Sequence, residues 1–213
     1  MDRRLTLVCI GLLCCLLGGC IEPEPVPSAV VRGIINASVE PAQTTIYSPE
    51  KITVTTSAGS FALTPRANYS LSALVVSKRY YSSGWEAEIS PMDLALAWGR
   101  MVEPDVDRHL SYSQNGRWYF YTYDGKTPVG KSYIASHSAN NHIIPATPNL
   151  KAALNGVESD QMVSLEGFLV DVDGRMSGRT VWWRTSLSRT DSASGSCEIF
   201  YVTTARIGEK TYK

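Results

Sequence analysis

The sequence predicts an α+β fold, mostly antiparallel β with one or two short helices and, in its C-terminal half, an OB-like partly open barrel. Three observations carry this. Polar and apolar residues alternate in short runs, as at residues 51–56 and 161–172. Charged residues make up only 19% of the chain, while Ser, Thr, Tyr and Trp are plentiful, a mixture suited to strands. Helix punctuation occurs at only a few places.

The elements follow in order. Residues 30–35 form a short β-branched run, and residues 51–56 alternate before a turn at Ala58-Gly59. Residues 61–63 and 69–76 continue as strands, giving a small antiparallel sheet over about 30–79. Ser90-Pro91-Met92-Asp93 then reads as a helix start: serine caps, proline fits the first position and aspartate suits the first turn. Residues 94–98 extend that helix until Gly99 stops it, and Glu103-Pro104-Asp105 opens a second helical turn towards His109.

Asn115-Gly116, set between β-prone runs over 111–123, predicts a tight hairpin. In its second strand Trp118 and Phe120 share one face, expected in the core. Tyr119, Tyr121 and Tyr123 share the other, expected as a half-buried sheet surface or a ligand platform. Residues 147–154 read as a short helix with Pro148 at its start and Gly156 at its end. A long strand over 161–172 turns at Asp173-Gly174 and Ser177-Gly178, returns over 180–188, and is followed by a polar loop at 191–196 and a last strand at 197–207.

The N-terminus carries a separate signal. Arg3 and Arg4 precede an apolar run over residues 5–19, which closes on Leu17-Gly18-Gly19-Cys20. At fifteen residues the run is shorter than the roughly 20 needed to span a bilayer. The order of basic start, apolar middle and small residues before a cysteine resembles the lipobox of bacterial lipoproteins. That resemblance implies cleavage after Gly19, with a diacylglycerol and an N-acyl chain on Cys20 as the only covalent additions. Several chains on one residue give stable anchoring, since each buried CH₂ contributes about 0.8 kcal/mol. Ile21 is not the aspartate that holds enterobacterial lipoproteins in the inner membrane, so the resemblance implies the outer membrane, facing the periplasm. Pro23, Pro25 and Pro27 alternate, as in an extended spacer. The expected organisation is a signal over 1–19, a tether over 20–29 and one β-rich periplasmic domain over 30–213, with a sub-boundary near 85–90.

Composition bounds the function. The chain has 20 basic and 20 acidic residues, and removing Asp2, Arg3 and Arg4 with the signal leaves 18 against 19. Without a basic excess, nucleic acid is not an expected partner. Cys9, Cys14 and Cys15 leave with the signal, so only Cys20 and Cys197 remain. Cys197 in a strand reads as a small buried apolar residue.

The densest polar cluster is Ser136-His137-Ser138-Ala139-Asn140-Asn141-His142, read as a loop able to bind a partner through His137, Asn140, Asn141 and His142. Five residues apart, the two histidines point to opposite faces of a strand and lie about 140° apart on a helix, so only a bent loop would join them. No third ligand is in reach by spacing, and no metal is expected. Other motifs fail. Gly125-Lys126-Thr127 lacks the first glycine of a phosphate loop, Ser48-Pro49-Glu50-Lys51 lacks the helix and companion motifs of a penicillin-binding serine, and Asp171-Val172-Asp173-Gly174 lacks the closing glutamate of a calcium loop.

Residues 90–99, 137–146, 164–170, 183–191 and 195–202 together resemble a group of uncharacterised bacterial exported proteins. The resemblance implies one integrated domain from about Val30 onward and no particular reaction. The expected function is therefore a non-catalytic, lipid-anchored binding module for another envelope component, an accessory of a secretion, conjugation or wall-associated assembly. The alternatives are an envelope hydrolase, with His137 or His142 as base and Arg184, Arg189 or Asp191 steering charge, and a sensor of a small ligand or glycan.

Overall fold

A computed structural model describes residues 23–176, 178–189 and 196–213; Cys20 lies outside them. In chain order the elements are β1 (Ala29–Val30), β2 (Ala42–Thr45), β3 (Ile52–Thr55), β4 (Gly59–Tyr80), β5 (Met92–Ala97), α1 (Pro104–Asp107), β6 (Leu110–Asn115), β7 (Trp118–Tyr123), α2 (Lys131–Ser136), β8 (Ser138–Pro145), α3 (Pro148–Asn155), β9 (Met162–Met176), β10 (Arg179–Trp183), β11 (Glu198–Ile207) and β12 (Lys210–Tyr212). The architecture is α+β and dominated by antiparallel strands, as expected.

Five strands form a ring. β4 pairs with β5, β5 with β8, β8 with β11, β11 with β9, and β9 returns to β4. The β8–β11 pair is parallel and the other four are antiparallel. With α3 between its third and fourth strands, this is a small Greek-key ring of OB type. It is not confined to the C-terminal half, because β4 and β5 supply two of its five strands. Hydrogen bonds therefore join residues on both sides of 85–90 in one sheet.

Long strands curve to close the ring, and bulges supply the bends. One lies in β4 at Arg66, between paired Pro65 and Ala67. Another lies in β11 at Thr203. Opposite it, any side chain on Gly167 would run into the Tyr201 carbonyl. Inside the ring, Leu94, Leu96, Ile143, Leu165 and Phe200 are fully buried. Each such side chain contributes about 1.5–3 kcal/mol. α3 plugs one end with Leu150 and Leu154, and its Thr147 cap accepts a hydrogen bond from the Leu150 N–H at 3.1 Å.

Several local expectations are corrected. Residues 92–97 form β5, not a helix, although the Leu and Ala there are strong helix formers. All six side chains of β5 are buried and both edges are paired, so tertiary pairing overrides propensity. Residues 29–30 pair with β12 at the C-terminus, not with the early strands. Asp173 and Gly174 continue β9 through the expected turn, and the strand runs on to Met176. The helical turn at 104–107 and the helix at 148–155 form as read.

The β6–β7 hairpin also forms, but its loop is Gly116-Arg117, one residue later than Asn115-Gly116. Both loop residues have positive φ, 57° and 72°, the geometry of a type I′ turn. The face expected in the core is instead exposed, while the tyrosine face is half-buried as one of its two expectations had it. Trp118 and Phe120 are 43% and 50% exposed, while Tyr119 and Tyr121 pack over Leu74, Val76, Ala95 and Ala97 on the outside of the ring. The partner strand decides this: Leu110 and Tyr112 must share a face with the tyrosines, and Ser111 and Ser113 with Phe120 and Thr122.

Candidate functional site

Side chains on β5 and β8 alternate between the ring interior and its outer face. Asp93, His142 and Asn140 project outward and are covered by the hairpin and by β10, so this outer face carries a buried polar cluster. Asp93 is fully buried, and its Oδ1 meets Arg117 Nη1 at 2.8 Å and His142 Nδ1 at 2.9 Å. A buried carboxylate needs such partners, because removing it from water unpaired is prohibitive. Arg117 reaches Asp93 from the hairpin turn, also donates to the Ser90 carbonyl, and stacks on Tyr81 at 3.8 Å. Burial, with the Asp93 charge next, pushes the Tyr81 hydroxyl up. Asn140 donates to the Arg117 carbonyl and accepts from Gln114 Nε2 at 2.7 Å. Trp183 lies against the His142 ring at 4.4 Å.

His137 belongs to a different cluster. The residues read as a loop are the C-cap of α2 followed by β8, and strand geometry separates the two histidines. His137 Nε2 lies 2.7 Å from Glu40 Oε1, and its ring stacks on Tyr133 at 3.6 Å. Trp98 Nε1 donates to the other Glu40 oxygen, and Arg189 reaches the same oxygen at 3.5 Å. Asn141 points into the ring interior and is fully buried.

Between these clusters, at the end of the ring where β8 and β11 begin, lies a cleft of about 200 Å³. Its aromatic walls are Trp98, Trp118, Tyr119 and Tyr121. Its polar lining includes Asn140, Arg189 and Glu198, with the Cys197 thiol beside them and its Sγ 3.9 Å from Asn140 Nδ2. Burial pushes the Tyr119 hydroxyl up, so it stays protonated. Neither histidine lines the cleft, and Tyr123 and Asn141 are also absent from it. Arg184 is engaged elsewhere, donating to Asp173 and to the Val172 carbonyl, and Asp191 lies outside the described residues. Cys197 is half-buried and just precedes β11, so it is more open than a strand-core thiol.

Of the lining residues, Tyr119, Tyr121, Asn140 and Arg189 are among those the sequence singles out, and Trp98, Trp118 and Glu198 are not. Nor does it mark Asp93 and Arg117 as site residues, although their cluster sits directly behind Asn140. The odd feature available in advance was Asp93 between apolar neighbours; it was assigned to a helix start. Among the described residues, no three His, Cys, Asp or Glu side chains are grouped to hold a metal ion, and no helix is long and apolar enough to cross a membrane. No protein-family model, curated protein or solved structure matches this chain.

Proposed function

We propose that this chain is a non-catalytic, lipid-anchored module of the outer membrane, facing the periplasm, that binds another envelope component through the cleft. The observation that supports this reading is convergence: four aromatic walls meet Asn140 and Arg189 in one concavity, while both histidines are engaged by carboxylates outside it. Aromatic surfaces supply contact area and a few fixed polar groups set orientation, the usual composition of a binding site. A photoreactive residue in place of Trp118, in the full-length chain in intact cells, tests it. A discrete adduct is expected there and not with the same probe at Lys126, an exposed position outside the cleft. No adduct at either position contradicts it.

The glycan-sensor alternative has a specific observation in its favour. The cleft borders the outer face of the second and third ring strands, where OB-type rings commonly bind oligosaccharides or oligonucleotides; that support is fold analogy alone. The near-neutral charge favours the uncharged polymer. Adduct mass separates the readings: a protein-sized shift supports a protein partner, and a glycan mass supports the sensor. The hydrolase alternative rests on the Asp93–His142 pair and requires hydrolytic activity that His142→Ala abolishes.

A further inference from the structure

The N-terminal segment does not leave the ring as a free spacer. Val26 is held at both backbone groups by Asn149 on α3: its N–H donates to Asn149 Oδ1 at 2.8 Å, and its carbonyl accepts from Asn149 Nδ2 at 3.0 Å. The same Nδ2 donates to the Lys213 carbonyl, tying both ends of the domain together. β1 then pairs with β12, and Arg206 donates to the Val31 and Gly33 carbonyls. Only five residues therefore separate Cys20 from the first fixed point at Val26, a chain of six Cα–Cα steps. Fully extended, they reach about 20 Å.

The clasped segment is unusually apolar for an exposed edge. Val26, Val30 and Ile34 are 69%, 66% and 93% exposed. Beside them lies a shallow groove lined by Ile35, Met162 and Ile207. Arg32, Lys210 and Lys213 are exposed along the same clasped strands, with Glu24 and Glu209 among them. Exposed aliphatic side chains with cations interspersed suit a phospholipid surface, where the apolar groups enter the headgroup boundary and the cations meet phosphates.

We infer that this edge is a membrane-contacting surface that lays the domain against the bilayer and turns the cleft away from it. The inference rests on the lipid-anchor reading above. It fixes an orientation that the anchor alone does not. The edge lies at the Ile207 end of β11 and the cleft at the Glu198 end, nine residues apart along one strand. That is about 30 Å of strand. The bilayer is therefore the occupant of the apolar edge, and the cleft faces the periplasmic space.

The test uses the full-length protein reconstituted in vesicles of phosphatidylethanolamine with a minority of phosphatidylglycerol. p-Benzoylphenylalanine replaces Ile34 in one sample and Trp182 in another. Trp182 is exposed, and it pairs near the far end of β9 from the Val163–Ile207 contact. Position 34 should form phospholipid adducts severalfold more often than position 182, and Val30→Asp should reduce them without unfolding the domain. Mass spectrometry of the N-terminal peptide separates the two ways to fail. An acylated Cys20 with equal adduct yields at both positions overturns this inference alone. An unmodified Cys20 overturns the anchor reading and this inference together.

Discussion

At the end of the ring where β8 and β11 begin, the chain buries Asp93, Asn140, His142 and Glu198, and it opens a cleft. At the other end, beneath α3, it buries Leu150, Leu154, Val163 and Ala205, with apolar neighbours throughout. The same five strands build both ends. A dry interior gains stability simply by excluding water. A polar interior is stable only while every charge keeps its partner. The comparison teaches that the α3 end is held by excluded water, while the cleft end is held only as long as its buried charges stay paired.

The sharpest way to break that contrast is at Asp93. Asp93→Ala strands Arg117 and His142 in a buried site, so it should cost about 3–5 kcal/mol of folding stability, read from urea denaturation. Replacing Arg117 by Met in the same chain should restore part of the loss, because the uncompensated charge is then gone. If the double variant is as unstable as Asp93→Ala, the pair is not what holds the hairpin to β5. At the dry end, Leu154→Ala leaves a cavity and should cost about 2–5 kcal/mol by the same measurement, with no second substitution able to restore it by charge removal.

Smaller effects sharpen the boundary. Thr147→Ala removes the α3 cap and should cost about 1 kcal/mol, seen as a lower thermal midpoint. Lys78 reports pH dependence at the same end. Its ammonium donates to the Leu154, Asn155 and Val157 carbonyls, and burial, outweighing the nearby Glu158 charge, pushes it down to about 8. Between about pH 8 and 10.5 the unfolded chain then holds the extra proton, so stability should rise with pH across that window. The urea midpoint should show this rise in the native chain and lose it in Lys78→Met.

How far the sequence foretold these ends differs between them. α3 was legible because its signals are local: Thr147 caps, Pro148 starts and Gly156 follows the last turn. The helix set between strand groups also pointed to the OB-type ring. The ring's closure was not legible, because pairs such as Leu63 with Val172 join positions far apart in the chain. β5 was misread for a related reason. Its Leu and Ala favour a helix locally, and only the strands on either side make it extended. The hairpin faces could have been read correctly from Leu110 and Tyr112, whose alternation with Ser111 and Ser113 fixes the inward side.

At the candidate site, strand parity correctly kept the two histidines apart. Their carboxylate partners carried no local signal: Glu40 precedes His137 by nearly half the chain, and Asp93 belongs to another strand. The aromatic walls were half legible. Tyr119 and Tyr121 were singled out as a face, whereas Trp98 was placed in a helix that does not exist and Trp118 was assigned to the core. Side chains brought together by ring closure leave no spacing pattern to find.

The central claim, that the cleft binds through groups that do not hold the fold together, is tested most directly by adduct formation from the photoreactive probe at position 118 when Arg189→Ala is added, with urea denaturation run on the same variant. Arg189 is partly exposed and lines the cleft, so the account predicts that the adduct is lost while the unfolding midpoint stays near that of the parent. An adduct of undiminished yield in a chain that still folds would contradict it.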